Sequence, residues 1–86
     1  MFAVVWTGAT FDQMEQIVRN NPARTTELAD ALRELTTRLQ ANASTTGESR
    51  GGSLRILFAG PLTVYFRPDE STSAATIIRV RARFTA

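Results

Sequence analysis

Three hydrophobic rhythms follow one another along the chain. Phe2-Ala-Val-Val-Trp6 is a run of aromatic and β-branched residues followed by Gly8, which predicts a first strand over residues 2–6. From Thr10 the period lengthens. Phe11, Met14, Ile17 and Val18 fall on one face of a helix that ends at Asn20-Asn21-Pro22, with Thr10 as N-cap and Asp12 in the first turn. A second helix is expected from Pro22 to about Gln40. Leu28, Leu32, Leu35 and Leu39 form its apolar stripe beside Ala31, and Arg and Glu occupy its other faces. So short a connection makes the two helices antiparallel neighbours. The leucine stripe is read as intramolecular core, because a domain this small has little else to bury.

After Gln40 the pattern lapses. Residues 41–52 are Ala, Asn, Ser, Thr and Gly with Glu48 and Arg50, and read as a surface loop. The loop's glycines match no phosphate-binding P-loop pattern. The last third alternates with period two. Leu54, Ile56 and Phe58 are expected to point inward and Arg55 outward. After Gly60-Pro61, Leu62, Val64 and Phe66 point inward, with Tyr65 and Arg67 outward. Pro68-Asp69-Glu70-Ser71 is a turn. Finally Ile78, Val80, Ala82 and Phe84 point inward, with Arg79, Arg81 and Arg83 outward. The order β-α-α-β-β-β predicts an α+β fold for residues 1–86 as a single domain. A helical hairpin would cover one face of a mostly antiparallel four-stranded sheet.

Composition sharpens this. All ten basic residues are arginine, and neither cysteine nor histidine occurs. Disulfides and thiolate or imidazole metal sites are thereby excluded, as is the commonest general base. No metal and no cofactor are expected. The net charge of +2 conceals a division. Residues 1–48 carry four Arg against six acids, and residues 49–86 carry six Arg against Asp69 and Glu70. A basic half suits a polyanion or an acidic protein segment. No run of residues reaches the length of a membrane span, and Met1–Trp6 has no charged leader, so a cytoplasmic protein without a membrane partner is expected.

These patterns place Arg55, Tyr65, Arg67, Arg79, Arg81 and Arg83 on the sheet face away from the helices, with Arg50 in the loop nearby. Two readings stand. A sheet's solvent face is polar in any case. Guanidinium groups also bind phosphates in bidentate fashion, and a tyrosine can stack on a base.

The stretch from Gly47 to Phe66, with Arg55, the Gly60-Pro61 turn and Leu-Thr-Val-Tyr-Phe66, then Ile77-Ile-Arg-Val-Arg-Ala-Arg83, resembles the C-terminal half of toxins of the RelE/ParE superfamily of type II toxin–antitoxin systems. Val5-Trp6-Thr7 and the amphipathic helix after it fit the same pattern, so the resemblance covers nearly the whole chain. The Gly60-Pro61-Leu62 form looks like a divergent branch sometimes described as plasmid stabilisation proteins. The resemblance implies a toxin acting on ribosome-bound mRNA or on DNA gyrase. It also implies a cognate antitoxin whose acidic segment folds on the toxin surface. Arg55 and Arg83 match arginines that, in RelE-like metal-independent endoribonucleases, bind phosphate and stabilise the transition state. The family's arginine after the glycine turn is replaced by Leu62-Thr63. ParE-like members, which poison gyrase, have no need of it. An interaction module on the same fold, without catalysis, is the alternative.

Overall fold

The computed structural model describes residues 1–84; Thr85 and Ala86, the last two of the expected domain, lie outside the described residues. The chain runs β1 (Ala3–Trp6), α1 (Gly8–Asn20), a 3₁₀ turn (Pro22–Arg24), α2 (Thr25–Asn42), β2 (Glu48–Ser49), β3 (Arg55–Ala59), β4 (Leu62–Asp69) and β5 (Ala74–Ala82). The α+β class and the element order expected from the hydrophobic pattern are present. The sheet has five strands rather than four, in the order β1-β5-β4-β3-β2. The additional strand is the two-residue β2, which pairs antiparallel with β3 inside the stretch expected to be loop. β1 lies at the opposite edge and runs parallel to β5, from Ala3 opposite Ala74 to Trp6 opposite Ile77. The other pairs form the expected antiparallel meander.

Local chemistry sets the helix ends. Thr7, not Thr10, caps α1: the Thr10 N–H donates to Thr7 Oγ1, and the Thr7 N–H donates to Thr10 Oγ1. This reciprocal box satisfies two donors that the helix would otherwise leave unpaired, and it starts the helix earlier than the hydrophobic pattern suggests. Asp12 consequently falls outside the first turn. The Pro22 segment forms a 3₁₀ turn before α2 begins at Thr25, since proline sets φ for a turn start but supplies no N–H.

The core lies between the helices and one sheet face. Leu28, Ala31, Leu35 and Leu39 of α2 and Met14 of α1 meet Leu57, Ala59, Leu62, Val64, Phe66, Ala75, Ile77 and Val80. α1 packs chiefly on β5, and α2 on β3 and β1. Phe11, expected in this core, is 59% exposed. No helix among the described residues is long and apolar enough to cross a membrane.

Two strands correct the expected inward and outward assignment. In β3 the phase is inverted. Leu57 opposes Val64 and Ala59 opposes Leu62, so these point inward, while Ile56 and Phe58 oppose Tyr65 and Thr63 on the other face. Arg55 shares the phase of Leu57 and Ala59 and does not join the open face. In β5 the phase changes midway. Tyr65 opposes Arg79, but its neighbour Phe66 opposes Ile77, which leaves Ile78 as an extra residue in a β-bulge. Ile77 is fully buried and Ile78, expected inward, is 38% exposed.

Candidate phosphate-binding face

The sheet face away from the helices is built by alternation. On β4, Thr63, Tyr65 and Arg67 share it, because Leu62, Val64 and Phe66 are sequestered in the core. Tyr65 stands opposite Arg79, Thr63 opposite Arg81, and Arg67 opposite Thr76. From β3 come Ile56 and Phe58, the latter 54% exposed. Past the end of β5 the Arg83 N–H donates to the Pro61 carbonyl at 2.7 Å, which holds Arg83 against the β3–β4 turn. Tyr65, Arg81, Arg83, Phe58, Ile56 and Thr63 thus line one shallow hollow of about 430 Å³, closed at one end by Gly60-Pro61.

Of the residues singled out in the sequence, Tyr65, Arg81 and Arg83 line this hollow, and Arg79 stands opposite Tyr65 on the same face. Arg67 is on the same face farther along β4, next to Ile78 and Thr76. Arg50 sits in the β2–β3 connection, two strands away from β5, and is ion-paired with Glu48 at 3.3 Å. Arg55 is turned elsewhere. Its Nε donates to the Thr46 carbonyl at 2.8 Å and its Nη2 to the Gly47 carbonyl at 2.9 Å. This half-buried guanidinium therefore ties the chain after α2 to the start of β3. Phe58 and Ile56 were missed as members of the face. Their only signal was the two-fold ambiguity of a strand apolar in both phases.

The electrostatics separate this face from the rest of the surface. Arg19, Arg24, Arg33, Arg38 and Arg50 each pair with a carboxylate. Arg24 in addition stacks over the Phe84 ring, 4.5 Å from its centroid. Among the described residues, the side chains of Arg67, Arg79, Arg81 and Arg83 have neither an acidic partner nor a hydrogen bond. Arginines at alternate positions along an extended strand stand about 6.8 Å apart. Their repulsion in water is modest, and an anion bound between them would relieve it. Among the described residues, Asp69 at the end of β4 and Glu70 just beyond it line a second hollow with Arg67. The Ser71 hydroxyl and N–H donate to Asp69 Oδ1 at 2.6 and 3.0 Å and hold its carboxyl below the usual carboxylate range, so it stays an anion.

A second surface is apolar. α1 and α2 leave a groove of about 570 Å³ between them, lined by Trp6, Phe11, Met14, Val18 and Leu32, with the paired Glu15 and Arg19 at its rim. It adjoins β1, whose outer edge carries no neighbouring strand.

No family model and no curated protein matches the chain. Solved structures do. A chain of the chromosomal ParDE toxin–antitoxin system from P. aeruginosa superposes with a TM-score of 0.74 at 19% identity, over 98% of each chain. A chain of the toxin–antitoxin complex RelBE2 from Mycobacterium tuberculosis gives a TM-score of 0.62 at 17% identity, over 95% of this chain and 98% of that one. At such identities the likeness is one of fold: this chain shares the architecture of those two chains over nearly its whole length.

Proposed function

We propose that this chain is a toxin-like protein of a type II toxin–antitoxin pair, and that its open sheet face engages its target by binding the phosphate backbone of ribosome-bound mRNA. The observation that carries this reading is a sheet face no helix covers, where Arg81 and Arg83 line a hollow with Tyr65, Arg79 stands opposite Tyr65, Arg67 lies farther along β4, and none of the four has an ion pair among the described residues. Guanidinium groups are matched to phosphate, and Tyr65 and Phe58 offer flat surfaces on which unstacked bases can lie.

Binding is supported further than cleavage. A metal-free attack by the RNA's own 2′-hydroxyl needs cationic donors at the pentavalent phosphate and a group to move protons. Arg81 and Arg83 suit the first task, and among the described residues Tyr65 is the one other titratable side chain in the hollow. We assign Arg55 to positioning the loop rather than to the phosphate. A gyrase-directed action on the same fold would show as loss of supercoiling activity without RNA binding.

The partner is proposed to be an antitoxin whose acidic, amphipathic segment lies in the groove between α1 and α2 and meets the arginine face at its margin. The groove also favours the second reading, a non-catalytic interaction module, because an exposed apolar surface of this kind marks a protein contact.

The test combines two measurements. Induced expression should arrest growth, and Arg83→Ala should relieve the arrest while remaining folded. Single-stranded RNA should bind with log affinity falling against log salt with a slope near −3, about 0.7 for each of four arginines. Normal growth at high expression, with no salt-dependent RNA binding, rejects the toxin reading. Capture of a protein partner under those conditions selects the interaction module.

A further inference from the structure

β5 contains one residue more than its packing requires. Its first half, Ala74–Ile77, is clamped between β1 and β4 and sends Ala75 and Ile77 into the core. Its second half pairs with β4 through Arg79–Ala82 and buries Val80, with Ala82 packed beside it. Without Ile78 the strand would read Ala75, Thr76, Ile77, Arg79, Val80, Arg81, Ala82. This alternates inward and outward without interruption and keeps every core residue in phase. The extra residue therefore gives the core nothing, and it exposes part of an isoleucine side chain to water.

The position of the bulge is informative. The last residue pair between β1 and β5 is Trp6 with Ile77, so the bulge falls where β5 leaves its parallel neighbour. Everything before it lacks charge, and everything charged on the strand comes after it. Beyond the bulge β5 has β4 on one side only. On the other side α1 takes the place of a strand, with Gln13 Oε1 accepting the Val80 N–H at 2.9 Å. A bulge bends its strand and increases the local right-handed twist, and such irregularities concentrate beside functional sites, where they re-aim side chains.

We propose that the Ile78 bulge is a positioning device for the open face, turning the arm Arg79–Ala82 so that Arg79 and Arg81 converge with Tyr65 on a phosphate-bearing strand. The inference rests on the reading of that face as a phosphate-binding surface. It adds that the aim of the arginines is set by an inserted backbone residue and not by their presence alone. Ile78 touches no phosphate in this account and acts through its neighbours.

Deletion of Ile78 tests the device, because it keeps all arginines and restores regular alternation. Wild type, the deletion and Ile78→Ala are compared by circular dichroism melting and by anisotropy of a fluorescent oligouridine across a salt series. The deletion is expected to melt close to wild type, bind roughly tenfold or more weakly, and lose about one phosphate contact from the salt slope. Ile78→Ala keeps the bulge and is expected to bind like wild type. A deletion that binds normally overturns the proposal while leaving the phosphate surface intact. A deletion that does not fold overturns it also, by showing that the core does need the residue. An Ile78→Ala variant as weak as the deletion assigns the effect to the side chain instead and likewise overturns it. If wild type itself shows no salt-dependent binding, the phosphate reading fails and the bulge proposal fails with it.

Discussion

Replacing Arg55 by methionine separates the role its position supports from the role its place in the sequence suggests. Methionine retains an unbranched apolar stem and removes the guanidinium. What is lost is a pair of hydrogen bonds, Nε to the Thr46 carbonyl at 2.8 Å and Nη2 to the Gly47 carbonyl at 2.9 Å. Bonds from a charged donor contribute roughly 1.5–3 kcal/mol each, and here water competes for a half-exposed side chain. The lower end of that range, reduced for this competition, gives a combined loss of about 2–3 kcal/mol. In a domain of this size each kcal/mol shifts the melting temperature by about 4–8 °C, so a fall of roughly 10–20 °C is expected. The loop between α2 and β3 should become the preferred site of proteolysis, because its two carbonyls lose their anchor. RNA affinity measured well below the melt should be unchanged. The reasoning is refuted if the variant melts within about 2 °C of wild type, or if it stays folded and binds RNA at least tenfold less tightly.

Other substitutions probe separate parts of the fold. Leu35 is fully buried between α2 and the sheet, and Leu35→Ala should cost about 2–5 kcal/mol in urea denaturation, enough to leave much of so small a domain unfolded. Gly47→Ala should cost about 1–3 kcal/mol by the same assay, because Gly47 has φ +74° and a methyl there would run into the Ile56 carbonyl. Ser71→Ala should raise the Asp69 pKa toward its ordinary value, since the Ser71 hydroxyl is the largest cause of its depression. A depressed carboxylate lends stability above its unfolded pKa and loses it as pH falls through the folded one. The variant should thus show a smaller loss of stability on acidification, and NMR titration of the Asp69 carboxyl should show the shift directly.

How far the fold was legible depended on whether each strand's alternation had one solution. β4 had one: Leu62, Val64 and Phe66 against Thr63, Tyr65 and Arg67 admit a single inward face, and that face is buried. β3 had two, because Ile56 and Phe58 are as apolar as Leu57 and Ala59. Arg55 appeared to settle the choice, on the assumption that a charge must face solvent. At the sheet margin a guanidinium can turn back to backbone carbonyls, and the phase is fixed by pairing Leu57 with Val64. β5 carried a visible phase change in its adjacent isoleucines, odd-numbered inward positions before them and even-numbered after, which a single alternation conceals. β2 left no trace, since Glu48 and Ser49 are polar and become a strand only by pairing with β3. The candidate face was readable in Tyr65, Arg79, Arg81 and Arg83. The loss of Arg55 and the gain of Phe58 follow from the inverted phase of one strand.

The charge division along the sequence becomes a division in space, between a helical layer of ion pairs and an open sheet face of arginines. Each helix-borne arginine and that of the 3₁₀ turn finds an acid three or four residues away: Arg19 with Glu15, Arg24 with Glu27, Arg33 with Asp30, Arg38 with Glu34. The helical layer is thereby neutralised by its own periodicity, and Asp12 is the one helix-borne carboxylate without an ion pair among the described residues. Packed layers lie about 10 Å apart, comparable to the Debye length at physiological salt, so helix acids do little to offset Arg67, Arg79, Arg81 and Arg83. A face that needed only to be soluble could mix signs, as the helices do. The open face instead carries Arg67, Arg79, Arg81 and Arg83 with no ion pair among the described residues, and the proposed phosphate contact would relieve their mutual repulsion.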